Sequence, residues 1–405
     1  QYKSFDSANN AAKQEAAAHS EQELRGWVKA KAWTNRMLAA LVNGVKGNKW
    51  FTLIDKIARI DTVLHAWELV RRNQGVAGVD KITVEKFDAQ SGKYIQEILD
   101  QLKDGTYRPE AIKRVYIPKN DGTKRPLGIP TVKDRTVQAA IKLIIEPIFE
   151  VEFRPTSFGF RPGKGCKDAL REVDRLIQEG YTWVVDADLK SYFDTISHDK
   201  LMQRIEAKIA DNKVLDLLRM FLKQNILEDM KEWTPEIGTP QGAVLSPLLS
   251  NIYLHSLDVL MEQAGFKMIR YADDFVILCK DQGTAENALG IVKKWVEEND
   301  LTLHPEKTRL GNCIVMGQGF EFLGYRFEAG KRQVRKKSLD KMKDKIRKAT
   351  RRSNGNSLAD IITQLNRSLK GWYGYFKHAH HWTFERLDGI IRRRLRSILR
   401  KNEKR

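Results

Sequence analysis

From Trp33 to Ala66, apolar residues recur at helical spacing: Met37, Leu38, Leu41 and Val42, then Leu53, Ile54, Ile57 and Ile60, interrupted by Gly44, Gly47 and Asn48. That 3.6-residue period predicts two or three amphipathic helices with a glycine-punctuated break. Asn73 to Asp80, with glycines at 75 and 78, reads as a connecting loop. Further on the period drops to two. Arg114 to Lys119 and Lys124 to Pro130 flank Asn120-Asp121-Gly122-Thr123, which predicts a β-hairpin with Asp-Gly at its tip. Thr182 to Asp188 is a run of β-formers whose alternation places Asp186 and Asp188 on one face. Met268 to Leu278 holds two hydrophobic runs joined by adjacent aspartates, a hairpin carrying its acids at the turn. Between these strands, Gly238 to Gly242 opens into a helix, with Ser246 suited to the N-cap and Pro247 to the first helical position. Residues 1–24, rich in Ala, Gln, Glu and Ser, favour helix but offer little apolar surface and are expected to form a frayed leader.

Length and composition bound these elements. The 405 residues, 41% hydrophobic and 30% charged, suffice for two or three domains with real cores. Wholesale disorder is excluded. With no apolar run of about 18 residues and no signal-peptide pattern, the chain is expected in the cytoplasm, away from membranes. Cys166, Cys279 and Cys313 show no metal-binding or redox spacing and read as ordinary buried thiols. His378, His380 and His381 lack a Cys or carboxylate partner at ligand spacing, which favours a basic surface over a metal site.

Charge changes the picture more. The formal net charge is +19, and from Lys331 to Arg405 there are 24 Lys and Arg against 6 Asp and Glu, a net +18. A basic block confined to one region is an electrostatic footprint for a polyanion. Trp372, Tyr373, Tyr375, Phe376 and Trp382 interleave with it, as suits a nucleic acid with bases to stack.

The acids supply candidate chemistry. Carboxylates on a buried-type strand must find a cation or be neutralised, and adjacent aspartates at one tip repel until a divalent cation reverses the sign. Such a pairing needs Asp188, 85 positions before Asp273, on a neighbouring strand. Three carboxylates at adjoining strand ends form an oxygen-donor Mg²⁺ site with room for water and phosphate, and two such ions serve in-line phosphoryl transfer. The basic hairpin arms, Lys113, Arg114, Lys119, Lys124 and Arg125, could close over a phosphate chain. The plainer alternatives are a strand end reaching solvent, an edge hairpin charged against aggregation, and an ordinary capped helix.

Taken in order, Asp188-x-x-x-x-Phe193, Pro240-Gln241-Gly242 and Tyr271-Ala272-Asp273-Asp274 resemble motifs A, B and C of reverse transcriptases. Asn73 to Asp80, Lys124 to Arg135, Ser157 to Pro162 and Leu365 to Phe376 look like bacterial group II intron reverse transcriptases, or maturases, and the likeness covers about residues 33 to 400. The resemblance implies an α+β right hand: an N-terminal leader and helical extension (1–70), fingers and palm with an antiparallel sheet plus helices (71–330), and a basic all-α thumb or maturase domain (331–405). It implies that Asp188, Asp273 and Asp274 bind two Mg²⁺ ions, with Mn²⁺ as a substitute. Lys119 and Arg125 would hold the incoming dNTP, Phe193 would crowd a ribose 2′-OH, Gln241 would lie near the nascent base pair, and Lys307 would assist the leaving group. Tyr271, Gly324 in the primer-grip segment Phe322 to Tyr325, Arg367, Trp372 and Arg392, Arg393 and Arg394 are the expected nucleic-acid contacts.

The function implied is RNA-directed DNA synthesis on a group II intron RNA template from a DNA primer or target, together with intron binding, splicing and retrohoming. A relative recruited to phage defence or CRISPR spacer acquisition, and a non-catalytic RNA splicing chaperone, are the alternatives. The intact acids argue against the chaperone. Many relatives continue into a DNA-binding segment and sometimes an endonuclease, but these residues carry no Cys/His nuclease signature. Ala243 stands where many relatives have Gly or Ser, with little effect expected. Monomer and dimer are both compatible with the sequence.

Overall fold

Threonines open three helices early in the chain: the hydroxyls of Thr34, Thr83 and Thr131 accept from the backbone N–H of Met37, Lys86 and Asp134, satisfying amides that a helix start leaves unpaired. The computed structural model describes residues 32–402 except 119–121, 123, 230 and 352–354. The leader expected at 1–24 lies outside the described residues. Helix α1 (Asn35–Asn43), a single turn at Ile54–Ile57, α2 (Ile60–Asn73), α3 (Val84–Ala89) and α4 (Ser91–Asp104) lead into β1 (Ile112–Pro118) and β2 (Lys124–Ile129). Helices α5 (Val132–Glu150) and α6 (Cys166–Gln178) precede β3 (Trp183–Asp188), a turn at Tyr192–Thr195, α7 (His198–Glu206), α8 (Asn212–Leu222), β4 (Ile226–Glu228) and β5 (Lys231–Trp233). Next come α9 (Ser246–Gln263), β6 (Lys267–Tyr271), β7 (Asp274–Cys279), α10 (Gln282–Glu298) and β8 (Arg309–Asn312). The chain closes with β9 (Phe320–Phe322), β10 (Tyr325–Glu328), β11 (Lys331–Val334), α11 (Lys336–Ala349), α12 (Leu358–Phe376) and α13 (Trp382–Asn402).

The palm sheet has strand order β6-β7-β3-β8 with every neighbour antiparallel. On β3, Val185 and Ala187 enter one core while Val184 enters another, so alternation sends Asp186 and Asp188 to the face of Val184. On β7, Asp274 shares that face with Val276 and Leu278. The fingers sheet, β2-β1-β4-β5, departs from the all-antiparallel expectation because β4 runs parallel to β1. A long crossover through β3, α7 and α8 separates the two strands, as parallel pairing requires.

Two expected boundaries shift. Trp33 and Trp67 share one core with α5, and the Trp33 indole donates to the Leu143 carbonyl at 3.0 Å. Position 70 falls inside α2, so the N-terminal helices belong to the same body as the fingers. At the other end, Lys331–Val334 is a strand that pairs with β10, and the all-helical thumb starts at Lys336. Met342, Ile346, Ile361, Leu365, Leu387 and Ile398 form its own core. Among the described residues no helix is long and apolar enough to cross a membrane.

Candidate active site

Register brings the acids together. Asp188, last in β3, lies directly opposite Asp274, first in β7. Tyr271 and Asp274 close the β6–β7 hairpin around Ala272 and Asp273, so one acid sits in the turn and two on the adjoining strand ends. Burial pushes the Asp274 carboxyl up to about 7, with Asp186, Asp273 and Asp188 adding repulsion. Burial also raises Asp273, joined by the Asp188 charge and opposed by Arg125 and Arg270. Asp186 rises to about 7, mainly through burial. A cluster of carboxyls held this close is short of positive charge.

That shortage is the chemical fit for a divalent cation, and the donors are the hard oxygens such ions take. Among the described residues no three ligating groups converge on one point as they stand. Asp188 is turned to Lys307, whose ammonium donates to Oδ2 at 2.6 Å.

Between the fingers sheet and the turn that follows β3 lies a cavity of about 400 Å³ whose walls include Phe193, Gly238, Pro240, Gln241, Gly128 and Trp233. Phe193 and Gln241 thus meet in one space. The Gln241 amide oxygen accepts from Arg125 Nε at 2.6 Å, tying the fingers hairpin to the loop before α9. The loop abuts the hairpin backbone: Gly128 N–H donates to the Gln241 carbonyl at 2.7 Å. Lys119 lies outside the described residues.

Ser246 does not cap α9. Leu245 holds the cap position, Pro247 falls one place inside, and the Ser246 hydroxyl donates to the Pro240 carbonyl at 2.8 Å. The orphan amides of Val244 and Leu245 donate instead to the buried Gln138 side-chain oxygen on α5, at 2.8 and 3.4 Å.

The expected primer-grip segment is a tight hairpin, with Leu323 and Gly324 both at positive φ between β9 and β10. Gly324 packs toward Phe376 of the thumb, and its carbonyl accepts from Arg335 N–H at 2.9 Å. The remaining expected contacts lie on the thumb helices rather than around the cavity. Arg367, Arg392 and Arg393 are exposed. The Trp372 ring packs against Phe376 and Phe384, whereas neighbouring Tyr373 is 53% exposed. Arg394 turns inward, donating to the Thr350 hydroxyl and the Arg347 carbonyl at the end of α11.

A support missed in the sequence lies under the acidic hairpin. Arg270, fully buried, donates to both carboxylate oxygens of Asp258 at 2.7 and 2.5 Å, to Asn251 at 2.9 Å and to the Ala272 carbonyl at 2.9 Å. Two signals pointed there: an arginine in the apolar run before Tyr271, and Asn251 and Asp258 seven residues apart on one helix face.

Residues 117–327 match the family "Reverse transcriptase (RNA-dependent DNA polymerase)", and residues 339–405 match "Group II intron, maturase-specific domain". Group II intron-encoded protein LtrA of Lactococcus lactis subsp. cremoris is 41% identical over 215 residues, covering 53% of this chain and 36% of its own length. Protein YkfC of Escherichia coli (strain K12) is 33% identical over 288 residues, covering 62% of this chain and 75% of its own. Among solved structures, a chain of a partial Cas6-RT-Cas1–Cas2 complex aligns at a TM-score of 0.39 and 26% identity, over 61% of this chain and 41% of that one. The match to LtrA spans little more than a third of that relative, 36%.

Proposed function

The chain belongs to the reverse transcriptase family, and from that premise we propose that it is the RNA-directed DNA polymerase and splicing factor of a group II intron. It binds intron RNA, assists its splicing and copies it into DNA from a DNA primer during retrohoming, in the bacterial cytoplasm. The observation that carries the reading is the register of Asp188 against Asp274 with Asp273 in the adjoining turn.

The family depends on divalent metal ions. Asp188, Asp273 and Asp274 would hold two Mg²⁺ ions, or Mn²⁺ in their place, which stabilise charge on the transferring phosphate and the oxygens entering and leaving it. Arg125 and Lys119 of the fingers hairpin neutralise and orient the triphosphate of the dNTP. Gln241, steadied by Arg125, contacts the nascent base pair. Lys307 moves from the Asp188 carboxylate to the pyrophosphate as that group gains charge. The Phe193 ring excludes a 2′-hydroxyl by occupying its place. Tyr271 and the Gly324 hairpin support the primer end, and the thumb arginines bind RNA phosphates.

Primer extension on an RNA template with Mg²⁺ and dNTPs tests this directly. Wild type should synthesise DNA, while Asp273→Asn should lose synthesis and keep nearly all its RNA affinity, because the basic thumb carries most phosphate contacts. Equal loss of both would contradict that division, and RNA binding without synthesis by wild type would favour the chaperone.

A further inference from the structure

His198, 6% exposed and first in α7, plays no part in the chemistry above. Its Nε2 lies 2.6 Å from the Gly238 carbonyl oxygen. A carbonyl can only accept, so Nε2 carries the hydrogen. Nδ1 is buried without a hydrogen-bond partner, and burial lowers the imidazole pKa from its ordinary value, which keeps the ring neutral.

The Gly238 carbonyl belongs to a strap laid across the backbone that carries Phe193. Thr239 N–H donates to the Phe193 carbonyl at 2.7 Å, and Gly238 N–H donates to the Ile196 carbonyl at 2.8 Å. Ile237 pairs antiparallel with Ser197. Gly238 has φ of +88°, and a Cβ there would come within 3.0 Å of the Asp194 backbone, so strap and turn meet with no side chain between them. The same strap continues into Pro240 and Gln241, which line the same cavity as Phe193. The His198 side chain ties this strap to the helix following the Phe193 turn.

We propose that His198 is a positioning residue for sugar selection: its Nε2–H bond to Gly238 clamps the 237–239 strap onto the Phe193 turn and fixes how closely the Phe193 ring approaches the incoming sugar. The inference rests on reading Phe193 as the group that excludes a 2′-hydroxyl. Exclusion by contact is sensitive to small displacements, because the hydroxyl and the hydrogen it replaces differ by about one atom's width. Releasing the clamp leaves the deoxynucleotide reaction in place while the ribonucleotide gains room.

The test is the ratio of kcat/KM for a ribonucleotide to that for the matching deoxynucleotide, measured by single-nucleotide extension. Because both values come from the same preparation, a partly misfolded variant leaves the ratio intact. His198→Ala, and His198→Phe, which keeps a ring without a donor, should raise the ratio roughly tenfold, the effect of one lost buried hydrogen bond. His198→Gln, which restores a donor, should return it toward wild type. Added to Phe193→Ala, the His198→Ala change should raise it no further. If Phe193→Ala raises the ratio while both donor-less His198 variants keep the wild-type value, the clamp is refuted and the gate stands. If Phe193→Ala itself changes nothing, the gate reading fails and takes this inference with it.

Discussion

Arg270 and Asp258 form an ion pair with 0% and 3% exposure, a placement in which desolvation cancels much of the Coulomb gain. The pair matters for where it points: the guanidinium bonds to Asp258, Asn251 and the Ala272 carbonyl, fixing the residue before Asp273. Removing one partner of such a pair leaves a buried uncompensated charge, which costs about 3–5 kcal/mol. Asp258→Asn should therefore lower the thermal midpoint strongly and reduce kcat in primer extension, since the acidic turn loses its support; an unchanged midpoint would remove the pair from this role. Asp134 behaves differently. Its carboxylate accepts from Tyr107 Oη at 2.5 Å, Glu110 N–H at 3.1 Å and Gln224 Nε2 at 3.1 Å. Even so, burial dominates and raises the carboxyl to about 6 from 3.8. A group whose folded pKa is raised contributes stability that is complete below the unfolded value and lost as pH rises through the folded one. Wild type should accordingly gain stability relative to Asp134→Asn as pH falls from neutrality through about 6 toward 3.8. Urea midpoints of the two proteins across that window check the sign, and parallel curves would rule out Asp134 as the source.

The acidic hairpin depends on a neighbouring segment as much as on its own strands. Ala272 sits at φ of +60° in the two-residue turn, a conformation that normally favours glycine. The strand-like segment ending at Gly159 runs beside β6: Phe158 N–H donates to the Arg270 carbonyl at 2.8 Å, and Arg270 N–H to the Thr156 carbonyl at 3.0 Å. A Cβ on Gly159 would sit 2.2 Å from Ala272 N. Gly159→Ala must push the turn, and a shift near 1 Å at reacting groups costs on the order of 10²-fold in rate. The expected result is a large loss of kcat with helix and strand content retained by circular dichroism; wild-type kcat would show that the turn tolerates the shift. This contact also marks the limit of what could be read in advance. The two acidic strand ends were legible because a period of two is a local signal, and so was the basic hairpin. The Gly159 cradle, Gln138 capping α9 from another helix, the parallel β1–β4 pair and the helix crossing position 70 all depend on long-range packing, which leaves no period in the chain. The packing of Trp372 on Phe376 is of the same kind, since an aromatic between basic residues looks alike whether it faces solvent or a neighbouring ring.

Across the molecule the charge is divided between building the thumb and serving a polyanion. Lys331 to Arg405 carries a net +18, yet its arginines are not equivalent. Arg394 bonds to the Thr350 hydroxyl and to the carbonyls of Arg347 and Thr350 at 3.2 and 3.3 Å, where a cation completes the unpaired end of α11. Arg393 is exposed, and Arg392 is exposed and pairs with Asp388 at 2.8 Å, a surface pair of small worth. A run that looks uniform in sequence is therefore split by helical rotation into one structural residue and two free to meet phosphates. The measurable distinction is salt dependence, because each phosphate contact contributes about 0.7 to 0.9 to the slope of log affinity against log salt. Replacing Arg392 and Arg393 together by Gln should flatten that slope for RNA binding by up to about 1.8 and leave the thermal midpoint near wild type. Arg394→Gln should do the reverse, lowering the midpoint with the slope kept. A slope that responds to Arg394 alone would overturn this division between a structural arginine and two that meet phosphates.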